Sequence, residues 1–78
     1  MLVFDIEQRI AEIGGNRNGT KELNLVSWNK APARLDLRTW RTDDNGDQQP
    51  CKGITLTDTE AQALYDALGA YLSHERAG

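Results

Sequence analysis

The 78-residue sequence is poor in the groups that usually reinforce a small protein. It has one cysteine, Cys51, and one histidine, His74. A lone cysteine excludes an intramolecular disulfide, and the two side chains together make no zinc ligand set, so no metal or other cofactor is expected. Neither residue has the histidine or acid company that nucleophilic catalysis needs, and no glycine loop is spaced to cradle phosphates. The chain reads as a non-enzyme. No run approaches the ~20 apolar residues that cross a bilayer as a helix, so no membrane partner is expected. The start, MLVFDIEQRI, lacks a cationic leader ahead of an apolar stretch. That points to the cytoplasm, and to the nucleoid if the source is bacterial. Residues 1–78 form one domain at most, and a core of this size is marginal. With no disulfide or metal to help, oligomerisation is the expected reinforcement, most simply a homodimer.

Aromatic residues are scarce too, at 6%, yet both tryptophans fall within one segment, Val26 to Arg41, VSWNKAPARLDLRTWR. The formal net charge is −3, but five of the nine cations (Lys21, Lys30, Arg34, Arg38 and Arg41) lie within residues 21–41 against only Glu22 and Asp36. The face this segment presents is locally positive.

Along the chain, LVFDIEQRIAEI fits two elements. Leu2, Ile6, Ile10 and Ile13 have helical spacing, while Phe4, Ile6 and Ile10 share the parity of a strand. The following GGNRNG is turn chemistry, with Asn18-Gly19 a hairpin signal, and this favours the strand. In TKELNLVSW, Leu23 and Leu25 alternate with Glu22, Asn24 and Val26, which predicts a second strand. Pro32 bars a helix after it. ARLDLRTWRT then puts Leu35 and Leu37 on one face and Arg34, Asp36, Arg38 and Trp40 on the other. DDNGDQQP is a second turn, and CKGITLT a fourth strand with Ile54 and Leu56 inward. Thr57 and Glu60 form the capping box of a helix. Along that helix Ala61, Leu64, Tyr65, Leu68, Tyr71 and Leu72 make an apolar stripe wide enough to serve a partner subunit as well as the sheet.

The helix needs one face of this sheet, which assigns it the leucines and leaves Arg34, Arg38 and Trp40 displayed on the other. An exposed indole beside guanidinium groups calls for something flat and anionic to cover it. Single-stranded nucleic acid is both: its bases stack on aromatic rings at about 1–3 kcal/mol each, and its phosphates pair with Lys and Arg. An internal cation–π pair, worth about 0.5–1 kcal/mol when exposed, accounts for the same residues without a ligand.

From KELNLVSWN through LDLRTWR, the DNGD turn, KGITL and the capped helix, residues 21–72 resemble the transcriptional positive cofactor four family, its bacterial branch most closely. The resemblance implies an α+β fold, a four-stranded antiparallel curved sheet followed by one C-terminal helix (ββββα). It also implies a homodimer that grips single-stranded DNA with its sheets and is held together partly by its C-terminal helices. Arg38 matches an arginine that contacts the backbone, Trp40 an aromatic that stacks on bases, and Lys52 a lysine that faces phosphate. Trp28 takes the role of the aromatic ending the second strand. Lys21, Lys30, Arg34 and Arg41 lie in the same region without a firm match. Cys51 stands where eukaryotic members tend to carry a basic residue.

The acids of DDNGD suggest part of a calcium loop, but the downstream bidentate glutamate is missing and a hairpin turn explains them. Asp36 reads as an ion-pair partner that orients its neighbouring arginines. The leading expectation is a sequence-tolerant single-stranded DNA-binding protein, coactivator-like or strand-protecting. Two alternatives stay open. One is a dimeric interaction module that recognises an acidic partner, since Arg and Trp also dominate protein hot spots. The other is an RNA binder, since nothing identifies a 2′-hydroxyl reader.

Overall fold

The computed structural model describes residues 3–77, which leaves Leu2 of the first apolar pattern outside the described residues. The chain runs β1 (Phe4–Asn16), β2 (Gly19–Trp28), β3 (Arg34–Thr42), β4 (Gln48–Leu56) and α1 (Asp58–Ala77). The strands form one open sheet in sequence order, each antiparallel to the next. The ββββα architecture is the expected one.

The ambiguous first segment is a strand, and its pairing explains the ambiguity. Against β2 the register slips between Ile6 and Gln8, between Arg9 and Ala11, and between Glu12 and Gly14. Glu7, Ile10 and Ile13 are thereby left as extra residues, one in every three. This bulge spacing mimics helical periodicity in the sequence, while each bulge bends the strand and adds twist.

That bend is large. Trp40 pairs with Thr20 on β2, eight residues from Trp28. Eight residues of straight strand span about 27 Å. Yet the two indoles lie 6.2 Å apart between centroids and within 6° of parallel. The sheet therefore curls until its opposite ends meet across the concave face. The outer strands approach each other over the same face, where the Arg9 guanidinium of β1 donates to the Gln48 side-chain oxygen of β4.

Curvature reverses the expected core. Val26 at 0% and Trp40 at 1% exposure are the fully buried hydrophobic residues among those described, and both belong to the concave face. The parity of Trp40 was read correctly, but the expected display of its indole is not what the fold gives, because the sheet closes over it. The leucines of the convex face, Leu23, Leu25, Leu35 and Leu37, are only half-buried. Their intended cover, α1, meets the sheet chiefly at β4.

The helix starts as predicted. The Thr57 N–H donates to Glu60 Oε1 at 2.9 Å and the Glu60 N–H to Thr57 Oγ1 at 3.1 Å, a reciprocal capping box. Between β2 and β3, Asn29 and Lys30 have φ of 52° and 66°, and the Ala31 N–H returns to the Trp28 carbonyl at 2.9 Å. These are the φ signs of a type I′ turn, whose twist suits a right-handed hairpin.

Replacing Trp40 by Ala should cost about 3–5 kcal/mol in chemical denaturation, as expected for a large buried aromatic. Thr57→Ala, which removes one cap, should cost about 1 kcal/mol in the same measurement.

Candidate nucleic-acid interface

The concave face is built from side chains of one parity on β2 and β3, with β1 and β4 as its walls. Three aromatic residues meet at its mouth. Phe4, from the start of β1, lies 5.8 Å from Trp28 and 5.2 Å from Trp40, tilted at 47° and 52° to them. Tilted and parallel-offset pairs of this kind each contribute about 0.5–1.5 kcal/mol beyond the area they bury. Trp28 is half-buried and Trp40 is closed off. Both indole N–H groups are buried without an acceptor, and Asn24 Oδ1 is buried without a donor. An indole nitrogen can only donate, so each is a donor with nothing yet to bond.

Arg38 is held against this cluster from three directions. Its Nε and Nη2 bond the two oxygens of the Asp36 carboxylate at 2.6 and 2.8 Å, and Nη1 donates to the Cys51 carbonyl at 3.0 Å. Its guanidinium carbon sits 4.6 Å from the Trp28 ring centroid. Asp36 is fully buried and also accepts from Thr55 Oγ1 at 3.1 Å. The expected ion pair thus exists for Arg38, whereas no such bond links Asp36 to Arg34. Gly53 lies opposite Arg38 in the register, and a Cβ there would come within 1.9 Å of the arginine Cβ. The glycine of KGITL leaves room for the arginine to cross β4.

A second cluster lies deeper along β2. Glu22 accepts from Arg9 Nη1 at 2.9 Å, from Asn24 Nδ2 at 3.1 Å and from Thr20 Oγ1 at 2.6 Å. Burial alone would push its carboxyl up, but the bonds from Thr20 and Asn24 and the Arg9 charge outweigh it and hold the group below its ordinary value. Glu22 is therefore an ionised, internally satisfied anion.

The predicted site residues divide by position. Trp28, Arg34, Arg38 and Trp40 share the parity of the concave face, and Arg34 is exposed at the start of β3. Lys30 is exposed in the type I′ turn just beyond Trp28. Lys21 and Arg41 are exposed on strand positions of the other parity, and Lys52 shares the parity of Ile54. The fold thus gathers four of the eight on one face with Lys30 at its rim, and sets three on or near the convex side. Sequence reading missed Phe4 and Arg9. Phe4 carried a weak signal as the chain's single phenylalanine, while Arg9 carried none, because its role exists only once β1 curls towards β4.

The acidic turn is explained by its own hydrogen bonds. Asp43 accepts from the Asn45 and Asp47 N–H groups and from Gln49 Nε2, each at 2.9 Å. These bonds, the one from Asp47 foremost, hold its carboxyl below the ordinary value.

Two comparisons bear on this geometry. The family model described as Transcriptional Coactivator p15 (PC4) matches residues 16–67, from the end of β1 through half of α1. An uncharacterized protein of Treponema pallidum (strain Nichols) is 32% identical over 68 residues, covering 86% of this chain and 76% of the relative. The matched span contains both tryptophans, Arg38 with its Asp36 partner, and the glycine that lets Arg38 cross β4. On this evidence the chain belongs to the Transcriptional Coactivator p15 (PC4) family, which is associated with single-stranded DNA binding and coactivation.

Proposed function

We propose that this protein binds single-stranded DNA in a sequence-tolerant way, with Trp28 as the principal stacking platform and Arg38 as the cation fixed beside it. The observation that carries the reading is the Trp28–Trp40 stack with Arg38 set against Trp28. A base needs a flat, partly open ring backed by something rigid. Trp28 is open in part, and buried Trp40 is its backing. This divides the labour between the two indoles that the sequence treated alike.

Phosphates would meet Lys30 and Arg34 at the rim near Trp28, with Lys21, Arg41 and Lys52 adding to the field from the flanks. Charges on the flanks still act within a Debye length of about 8–10 Å at ordinary salt. Such a protein works in transcription or in protecting exposed strands, in the cytoplasm, and on the nucleoid if its source is bacterial. No helix among the described residues is long and apolar enough to cross a membrane.

We also propose that it works as a homodimer joined through α1. Support comes from the helix surface: Tyr65, Leu68, Tyr71 and Leu72 are 74%, 50%, 61% and 47% exposed, and Ile54 on β4 is 52% exposed. Apolar side chains grouped this densely on a small protein mark a protein contact. A second copy would also supply the convex leucines with the cover that one helix does not give.

Titration with oligo-dT at low salt should quench tryptophan emission, and the affinity should fall with salt at a log–log slope of about −0.7 per phosphate contact. Trp28→Ala should weaken binding by about 1–3 kcal/mol while leaving the unfolding transition in place. Unchanged emission throughout the titration, or equal affinity for oligo-dT and an acidic peptide, would overturn the reading, and tighter binding of oligo-U would reassign it to RNA. In sedimentation, the wild-type chain should run as a dimer and Leu68→Asp as a folded monomer.

A further inference from the structure

A cavity of about 520 Å³ lies where the β1–β2 turn meets the end of β3. Arg17 and Asn18 of the turn line it, together with Thr20, Trp40, Arg41 and Thr42. No carboxylate is among its lining residues. The ion pairs found among the described residues are Arg9–Glu22 and Arg38–Asp36, so among those residues no acid lies within 4.0 Å of the Arg17 or Arg41 guanidinium. The nearby Asp43 carboxylate is occupied by donors of its own turn.

Backbone geometry brings these two cations to one cavity. Gly15 has φ 142°, and a Cβ on it would come within 2.5 Å of the Gly19 carbonyl oxygen. A Cβ on Gly19 would lie 2.7 Å from the Trp40 carbonyl oxygen and 3.2 Å from Arg41 Cγ. Only glycines at these positions let the turn press against the end of β3. Two like charges beside one open cavity repel each other, and a shared anion removes that cost. Trp40 lines the same cavity, with its backbone carbonyl against Gly19. The cavity thus offers two cations and no competing acid.

We propose that this cavity is a phosphate subsite, in which Arg17 and Arg41 hold one phosphate of the bound strand. The proposal rests on the single-strand reading above and extends it past the residues the sequence singled out, since Arg17 was not among them. It places phosphate contacts at both ends of the curled sheet, Lys30 and Arg34 at one and Arg17 and Arg41 at the other. A strand crossing the aromatic mouth is then anchored on both sides of it.

The test uses the full chain as wild type, Arg17→Ala, Arg17→Lys and Arg41→Ala, titrated with 5′-hydroxyl oligo-dT between 50 and 200 mM salt. Each alanine variant should flatten the log–log salt slope by about 0.7, which makes its affinity loss across that range about 2.6-fold smaller than the wild type's. Arg17→Lys should keep the wild-type slope, and the thermal midpoint of Arg17→Ala should not move, since the residue lies exposed in a turn. A 5′-phosphate that tightens binding only when Arg17 is present assigns the subsite to a strand end. No effect of a 5′-phosphate, with the slope change intact, assigns it to an internal phosphodiester. If the wild type binds oligo-dT and Arg17→Ala keeps its slope, the subsite is refuted and the single-strand reading stands. If the wild type binds no strand, that reading falls, and inorganic phosphate decides the pocket. A saturable change in tryptophan emission that Arg17→Ala abolishes retains it, and no change refutes it.

Discussion

The contact between Trp28 and Trp40 is the constraint on which the rest of the structure depends. Two residues at opposite ends of neighbouring strands touch only if the sheet curls hard, and their 6.2 Å separation fixes how hard. The remaining features serve that curl. Three register slips bend β1. Phe4 wedges against both indoles. Arg9 reaches from one outer strand to the other, and Gly53 clears the way for Arg38. A flat sheet with the same hydrogen bonds would leave Trp40 in water and Arg38 without its aromatic neighbour.

The curl also explains why the two faces have exchanged roles. On the concave side, the buried carboxylates are tolerated because they are paired. Asp36 faces Arg38 and Thr55, and Glu22 is surrounded by donors from Arg9, Asn24 and Thr20. Removing one partner of a buried ion pair typically costs about 3–5 kcal/mol, so this network specifies the concave geometry as firmly as the aromatic stack does. On the convex side, ordinary hydrophobic residues remain half-covered, and the outer stripe of α1 faces solvent. A domain with its best-buried residues on the concave face and its leucines half-covered suits the homodimer proposed above. The groups left unsatisfied among the described residues, two indole N–H donors and one amide oxygen, lie on the concave face where a nucleic acid would supply partners.

Much of the fold was legible because it is written in local patterns. Leu35 and Leu37 against Arg34, Asp36, Arg38 and Trp40 gave β3 and its two faces; Asn18-Gly19 and Asn45-Gly46 gave turns; Thr57 and Glu60 gave the helix start. β1 was only half-legible, because an extra residue at Glu7, Ile10 and Ile13 replaces the two-residue period of a strand with a three-residue one. The burial of Trp40 was not legible. Parity states which face a side chain takes, but not whether that face closes on itself. Closure depends on contacts between residues far apart in sequence, Phe4 with Trp40 and Arg9 with Gln48. Arg17 stayed hidden for a related reason, since a cation in a turn acquires meaning only when another strand end brings Arg41 beside it.

The central claim, that the concave aromatic face is where a strand lands, is tested most directly by following the two indole N–H resonances in a proton–nitrogen correlation spectrum. Both report from buried positions with no acceptor. During titration with a short oligo-dT, the account predicts that the Trp28 indole resonance moves furthest and that Trp40 moves with it as its stacking partner. The amides along α1 should stay in place. Indole resonances that hold still while amides of the helix or of the convex face shift would contradict it.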